Sequence, residues 1–179
     1  MVEAFARPLQ HEIETSQLAE RARAIRLVLT DCDGVLTDGR IRYSSLGEKL
    51  RRFSNADDAA IDSLKRSGIS TAILTPDASS TVEAHACALR CHHFVGIGER
   101  PLYFDQLRAD LGLEYRQLAY VGHDLVGTGP FERIARDGLW ACPSGVSSST
   151  GARAHFRCST DGGLGALAEY ALWLIELRR

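Results

Sequence analysis

The chain has 179 residues, of which 45% are hydrophobic and 25% charged, and its formal net charge at pH 7 is -2. This size and composition predict one globular domain rather than two, and the absence of a basic surplus argues against nucleic acid as a partner. The sequence contains no apolar run long enough to cross a bilayer, and its five scattered cysteines fit a reducing compartment, so we expect a cytoplasmic protein without membrane contact.

The predicted elements alternate between helices and strands. Residues 1–24 are predicted to form an N-terminal helical extension, and residues 25–179 a single domain that begins with the strand IRLVLT. Two short strands around Gly47 predict a β-hairpin inserted at about 40–54. Further helices are predicted over 57–66, 79–90, 101–111, 131–135 and 164–177, and further strands over 69–75, 92–96, 118–122 and 139–142. This order predicts an α/β fold, a Rossmann-like parallel sheet with helices on both faces.

Polar side chains follow three of the predicted strands. Asp31 and Asp33 follow the first, Thr75 ends another, and His123 and Asp124 follow a third. Ligands of such sheets bind at the carboxyl ends of the strands, so these side chains are expected to meet at one edge. Arg100, at the start of a predicted helix, is placed to join them.

The acidic loop after the first strand suits chemistry on phosphorus. One carboxylate can attack phosphorus, and a second carboxylate two residues further on can transfer a proton to or from the departing or entering oxygen. Because the charges of Asp31, Asp33 and Asp38 repel one another, a cation is expected among them. A hard divalent ion such as Mg²⁺ would neutralise the loop and the phosphate together.

The segment 31–39, DCDGVLTDG, closely resembles the first motif of the haloacid dehalogenase superfamily of phosphohydrolases. The inserted hairpin and the late glycine motif at 162–166 narrow the resemblance to its small, cap-less members, typified by 3-deoxy-D-manno-octulosonate 8-phosphate (KDO 8-phosphate) phosphatase and the C-terminal domain of some CMP-sialate synthetases. In that family the hairpins associate into a tetramer, and neighbouring subunits close each active site. The resemblance therefore implies a homotetramer that acts on a small phosphorylated metabolite.

The resemblance also implies roles for individual residues. Asp31 would be the nucleophile that forms an aspartyl-phosphate, and Asp33 the general acid and base. Asp31 and the backbone carbonyl of Asp33 would hold Mg²⁺. Thr75 would bind a phosphate oxygen, and Arg100 would balance the charge of nucleophile and phosphate, although alone each is equally well explained as a turn residue or a solvated helix start. Candidate substrate-binding residues are Thr37, Asp57 and Asp77.

The fourth motif of the family departs from its usual form in this chain. The usual metal-binding aspartate is His123, and a later aspartate is Gly127, so only Asp124 remains. Imidazole suits Mn²⁺, Co²⁺ or Zn²⁺ better than Mg²⁺. Three outcomes stay open: His123 binds a softer metal, Asp124 supplies the oxygen ligand, or the metal site is lost. A histidine that merely hydrogen bonds to a carboxylate is as good an explanation of His123 as metal binding.

Three arginines that are common in the family are also replaced. The family frequently has Gly-Arg where this chain has Pro76 and Asp77. It has the arginine of Arg-Asp-Gly where this chain has Ala56, and an arginine in the late glycine motif where this chain has Leu164. Because bidentate recognition of a carboxylate depends on arginine, the sequence favours a less acidic or amine-bearing substrate over KDO 8-phosphate. The preferred hypothesis is a metal-dependent phosphatase. The alternative is a catalytically impaired homologue that serves as an oligomerising or ligand-binding module.

Overall fold

The computed structural model of the chain describes residues 14–96, 100–122, 129–147, 151 and 153–179, with the side chains of 100–104 also left outside the description. The helices are α1 (Thr15–Ala24), α2 (Asn55–Arg66), α3 (Ser80–Leu89), α4 (Arg100–Asp110), α5 (Pro130–Asp137) and α6 (Ala166–Leu177). The strands are β1 (Leu27–Asp31), β2 (Arg42–Tyr43), β3 (Lys49–Leu50), β4 (Ser70–Leu74), β5 (His92–Phe94), β6 (Leu118–Val121), β7 (Leu139–Cys142) and β8 (Phe156–Arg157).

Six strands form one sheet in the order β5-β4-β1-β6-β7-β8, and every neighbouring pair is parallel. The strand order reverses direction at β1, which has β4 on one side and β6 on the other. Such a reversal opens a crevice at the carboxyl ends of the central strands. The sheet therefore places its ligand-binding edge where β1 ends, at Asp31.

The sheet is buried on both faces, as expected for parallel strands covered by helices. Alternate residues of β1 point to opposite sides: Val28 packs in the core formed with α1, α2, α3 and α6, whereas Leu27 and Leu29 pack in the core formed with α4 and α5. All five residues of β1 are buried. The predicted α/β sheet with helices on both faces is therefore confirmed.

The hairpin predicted at about 40–54 is confirmed as the antiparallel pair β2 and β3, which lies outside the main sheet. Strand β8 was not predicted, because it has only two residues in a stretch rich in glycine and serine and offers no periodic pattern. Helix α1 packs against α6, and the guanidinium of Arg178 donates to the carbonyl oxygens of Ala22 and Ile25. None of the described helices is long and apolar enough to span a membrane.

His155 extends the pairing of β7 and β8 by one residue. Its backbone N–H donates to the carbonyl of Trp140 at 2.9 Å, and the backbone N–H of Trp140 donates to His155 Nδ1 at 3.0 Å. The Nδ1 atom must be unprotonated to accept this bond. Burial, with a contribution from the nearby charge of Arg21, lowers the pKa of His155 to about 4.

We expect His155 to make stability depend on pH between about 6.5 and 4. Its pKa is lower in the folded chain than in the unfolded one, so its contribution is present above pH 6.5 and is lost as the pH falls through 4. The loss is at most about 3 kcal/mol. Denaturant unfolding of the native chain and of His155→Asn, which keeps an acceptor but does not titrate, should show the native advantage shrinking over this range. A constant difference between the two proteins would contradict the assignment.

Candidate active site

The site is built on a sharp turn that follows β1. Residues Cys32–Leu36 form a kinked turn whose backbone is not helical at Asp33 and at Gly34, where φ is +87°. Side chains other than glycine rarely adopt this conformation, so Gly34 allows the chain to reverse between Asp33 and Val35. Asp31 therefore lies at the buried end of β1, whereas Asp33 lies nearer the surface, with 38% of its side chain exposed.

Asp31 is oriented by a tyrosine of the neighbouring strand. Asp31 is 4% exposed, and its Oδ2 accepts a hydrogen bond of 2.8 Å from the hydroxyl of Tyr120 on β6. The ring of Tyr120 lies so close to Gly122 that a Cβ atom at position 122 would be 2.0 Å from the hydroxyl oxygen. Residue 122 must therefore be glycine for Tyr120 to reach Asp31.

Asp33 is held by an arginine from the base of the hairpin. Arg51 Nε donates to Asp33 Oδ1 and Arg51 Nη2 donates to Asp33 Oδ2, each at 3.1 Å. The Arg51 side chain is only 3% exposed, and its hydrogen bonds to Asp33 raise the pKa of the guanidinium above its ordinary value. Asp33 is thus an ion-paired carboxylate with a fixed orientation, because a two-contact pair allows little rotation.

Asp77 belongs to the same charged cluster, which consists of Asp33, Asp77, Lys49 and Arg51. Its Oδ2 accepts from Arg51 Nη2 at 2.5 Å and also from Lys49 Nζ. These two cations hold the pKa of Asp77 below its usual range, Lys49 having the larger effect. The two hairpin cations Lys49 and Arg51 therefore balance the charges of Asp33 and Asp77.

The two candidate threonines lie at the same edge. Thr75 directly follows Leu74, which pairs with Asp31 across the sheet, and its hydroxyl accepts from the backbone N–H of Asp77 at 3.2 Å. Thr37 donates to Asp33 Oδ1 at 3.3 Å. Both threonines are almost fully buried, so their hydroxyl groups have fixed positions around the acidic turn.

The structure gives Asp57 a different role from the substrate contact expected for it. Asp57 is 1% exposed, and its Oδ1 accepts from the backbone N–H of Ala168 at 2.9 Å, in the first turn of α6. A carboxylate in this position satisfies N–H groups that have no partner within the helix and stabilises its positive end. Asp57 therefore joins α2 to α6.

The late glycine motif packs directly against the acidic turn. A Cβ atom at Gly162 would be 2.1 Å from the carbonyl oxygen of Gly34, and one at Gly163 would be 2.6 Å from the amide nitrogen of Asp38. The N–H of Gly163 donates to the carbonyl of Val35 at 2.8 Å. These glycines support the turn from behind, so the role that the structure gives them is structural.

A cavity of about 570 Å³ lies on another side of the acidic turn. Its walls include Gly34, Arg40, Arg52, Asp161 and Leu164, but not Asp31 or Thr75. The cavity therefore lies beside the acidic turn and is not lined by Asp31.

The remaining predicted site residues lie beyond the described atoms. Arg100 begins α4, but its side chain is outside the description, as are His123 and Asp124 entirely. Within the described part of the chain, no three histidine, cysteine or acidic side chains are grouped to hold a metal ion. The donors expected of Asp31 and Asp33 are nevertheless compatible with Mg²⁺: both are oxygen, and the pairing of the Asp33 side chain with Arg51 is consistent with its donating through the backbone carbonyl alone.

Comparison with known proteins settles the family. No family model matches the chain. The KDO 8-phosphate phosphatase KdsC of Yersinia pestis is 32% identical over 151 residues, which are 84% of this chain and 79% of that protein. The chain belongs to the KDO 8-phosphate phosphatase-like family of the haloacid dehalogenase superfamily.

Two solved structures of the family have the same fold. The KDO 8-phosphate phosphatase of Moraxella catarrhalis, in complex with magnesium, phosphate and KDO, superposes with a TM-score of 0.81 at 28% identity and covers 92% of this chain and 94% of its own. The cobalt-bound enzyme of Haemophilus influenzae gives 0.78 at 26% identity, with 88% and 91% covered. The predicted family is thus confirmed, and the chain is a phosphatase of the haloacid dehalogenase type.

Three residues of the site were missed by sequence reasoning. Lys49 and Arg51 lie in the hairpin segment EKLRRF, where alternation puts both on the same face of the strand. This alternation places two cations on one face of the strand, and it was the signal in the sequence that could have identified them as partners of Asp33 and Asp77. Tyr120 carried no such signal, since a tyrosine inside a buried strand reads as a core residue.

We expect Asp57 to oppose His155 in its effect on pH-dependent stability. Burial raises the pKa of Asp57 to about 6, although the backbone N–H groups of α6 act in the other direction. Stability from this group is therefore present below about pH 4 and is lost as the pH rises through 6, by about 3 kcal/mol. The native advantage over Asp57→Asn, measured by denaturant unfolding, should narrow from pH 4.5 to pH 7. Asp62→Asn, on the exposed side of α2, is the matched control, and an advantage that widens would contradict the argument.

Proposed function

We propose that this phosphatase hydrolyses a small phosphorylated sugar through an aspartyl-phosphate on Asp31. The observation that carries the proposal is the pair of unlike carboxylates at the end of β1. Asp31 is buried and oriented by Tyr120, whereas Asp33 lies nearer the surface with 38% of its side chain exposed. This difference supports a nucleophilic role for Asp31 and a proton-transfer role for Asp33.

In the first step an oxygen of Asp31 attacks phosphorus, and the bond from phosphorus to the ester oxygen breaks. The departing sugar oxygen takes a proton from Asp33, which has bound that proton from solvent before the step and is left as the carboxylate paired with Arg51. In the second step Asp33 accepts a proton from water, whose oxygen attacks the phosphorus of the aspartyl-phosphate. The bond to Asp31 breaks, which releases inorganic phosphate and leaves Asp31 as a carboxylate and Asp33 protonated again.

Other residues hold the phosphoryl group in this scheme. The Thr75 hydroxyl lies beside the end of β1 and is proposed to donate to a phosphate oxygen. Arg100 is proposed to balance the charge of the phosphate and of Asp31, a requirement of phosphoryl transfer. Thr37 holds Asp33 through its hydrogen bond and is proposed to contribute indirectly to substrate binding.

The proposed cofactor is a divalent metal ion, Mg²⁺ in the first place. Asp31 and the backbone carbonyl of Asp33 are the proposed oxygen ligands, with Asp124 or His123 completing the site. When bound, such an ion neutralises negative charge on the carboxylates and the phosphate. A contribution from His123 would favour Mn²⁺, Co²⁺ or Zn²⁺ instead.

The charge of the site bears on the substrate class. The relatives named above act on KDO 8-phosphate, an acidic sugar phosphate, but three arginines that would meet such a carboxylate are absent here. Asp77 is paired with Lys49 and Arg51, so it has little attraction left for an ammonium group. We therefore favour a less acidic sugar phosphate over an amine-bearing one.

The hairpin is proposed to mediate assembly into a homotetramer. Its apolar side chains are unusually exposed: Ile41 by 62%, Tyr43 by 65%, Leu46 by 84% and Leu50 by 47%. An apolar surface of this kind indicates a contact with another protein, and a second copy of the chain fits the family. The same hairpin supplies Arg51 to the charged cluster, so association would also stabilise the site.

The phosphatase proposal is tested by phosphate release from para-nitrophenyl phosphate and a panel of sugar and amino-sugar phosphates, with Mg²⁺, Mn²⁺, Co²⁺ and Zn²⁺ in parallel. We expect Asp31→Asn to lower kcat by about 10³-fold or more, because it removes the nucleophile. Asp62→Asn, with a carboxylate on an exposed helix face, should be unaffected.

The variant His123→Asp separates the phosphatase from the impaired homologue. If the native enzyme turns over substrate and His123→Asp shifts its metal preference towards Mg²⁺, His123 is a metal ligand. Silence of the native chain with every metal, together with activity in His123→Asp, would establish the impaired oligomerising module instead.

The assembly proposal predicts that a charge on the hairpin dissociates the oligomer. Leu46→Glu places a carboxylate in the proposed apolar contact, where its desolvation is unfavourable, so sedimentation should report smaller species. Leu172→Glu, at a leucine of α6 that is 60% exposed, is the matched control and should leave the native state unchanged. A native chain that sediments as a monomer would refute the tetramer.

A further inference from the structure

Arg51 connects three separate parts of the site. Besides its two bonds to Asp33 in the acidic turn, Arg51 donates to Asp77 after β4 and, at 2.9 Å, to the hydroxyl of Ser79, which caps α3. A side chain that is 3% exposed and has four such bonds is fixed in one position. Arg51 therefore sets the geometry of Asp33 relative to the rest of the edge.

The contact with Asp33 has a form that only arginine provides. The planar guanidinium donates to both carboxylate oxygens at 3.1 Å, and Nη2 also donates to Asp77 while Nη1 donates to Ser79. A lysine at this position would keep the charge but could not hold both oxygens in one plane. Lys49 already offers a comparison in the same cluster, since it contacts a single oxygen of Asp77.

The exposed part of Asp33 is the part that a leaving group can reach. The Asp33 side chain is 38% exposed although the side chain of its partner Arg51 is only 3% exposed, so this ion pair leaves part of Asp33 accessible from solvent. Thr37 fixes the same carboxylate from within the acidic turn. Arg51 and Thr37 together therefore fix the orientation of the Asp33 carboxylate.

We propose that Arg51 is a positioning residue that orients Asp33 for proton transfer to the leaving group. Arg51 touches neither substrate nor phosphorus in this role, and it acts only through Asp33. The inference rests on the proposed function, in which Asp33 gives its proton to the departing oxygen as the ester bond breaks. Its effect must therefore depend on how much the leaving group needs that proton.

The test compares para-nitrophenyl phosphate with benzyl phosphate. The two probes carry similar aromatic rings, but nitrophenolate departs without a proton, whereas the benzyl alkoxide requires one. The value of kcat/KM is measured for the native enzyme, Arg51→Lys, Arg51→Met, Asp33→Asn and the double variant Arg51→Met/Asp33→Asn. Arg66→Met, at an exposed arginine of α2, is the matched control, and thermal unfolding checks that each variant is folded.

We expect Arg51→Met to lower kcat/KM for benzyl phosphate by about 10²-fold, in the range of general acid catalysis, and for para-nitrophenyl phosphate by less than about fivefold. Arg51→Lys, which keeps the charge and is the safer variant for folding, should lose about tenfold on benzyl phosphate alone. Arg51→Met should add little to Asp33→Asn, because both changes remove the same proton transfer.

Each of the other possible results contradicts either the role of Arg51 or the proposed function. Equal losses on the two probes, or losses that multiply fully in the double variant, mean that Arg51 does not act through Asp33. Turnover of para-nitrophenyl phosphate alone by the native enzyme refutes the role too, because Asp33 then protonates no leaving group. No turnover of either probe by the native chain, with any of the four metals, overturns the proposed function, and the role of Arg51 falls with it.

Discussion

The ion pair between Arg51 and Asp33 is the interaction on which the rest of the site depends. Asp31, Asp33 and Asp38 lie close together in the sequence and would repel one another. The hairpin reduces this repulsion with its cations, because Arg51 pairs with Asp33 and Arg42 pairs with Asp38 at 2.7 Å. Asp31, at the end of β1, accepts a hydrogen bond from Tyr120 of β6. The inserted hairpin is therefore part of the site as well as a candidate surface for association.

The strand order explains why these groups meet. Because β1 lies between β4 and β6, its carboxyl end has Thr75 on one side and Tyr120 on the other. Gly162 and Gly163 of the late glycine motif pack against the backbone of the acidic turn and of the residues that follow it, where any side chain would collide with that backbone. The acidic turn is thus confined by the sheet, the hairpin and the segment before α6.

The sequence predicted much of the fold and the centre of the site. Alternating apolar strands and helices are local patterns, and Asp31, Asp33 and Thr75 follow from strand ends that topology brings together. The partners of the acids could not be predicted in the same way. Arg51 reaches Asp33 only through the folding of the hairpin over the turn, and Asp57 was drawn into the interior by the amides of a helix more than 100 residues away.

The closeness of Tyr120 and Gly122 constrains how this chain can evolve. A methyl group at 122 would lie 2.0 Å from the tyrosine hydroxyl oxygen and 2.6 Å from a ring carbon, so removing the hydroxyl alone would not make room for it. An aromatic residue at 120 must be lost before any larger residue becomes acceptable at 122. The two positions are expected to change in that order among descendants of this sequence. The first change, at Tyr120, also removes the hydrogen bond that its hydroxyl donates to Asp31.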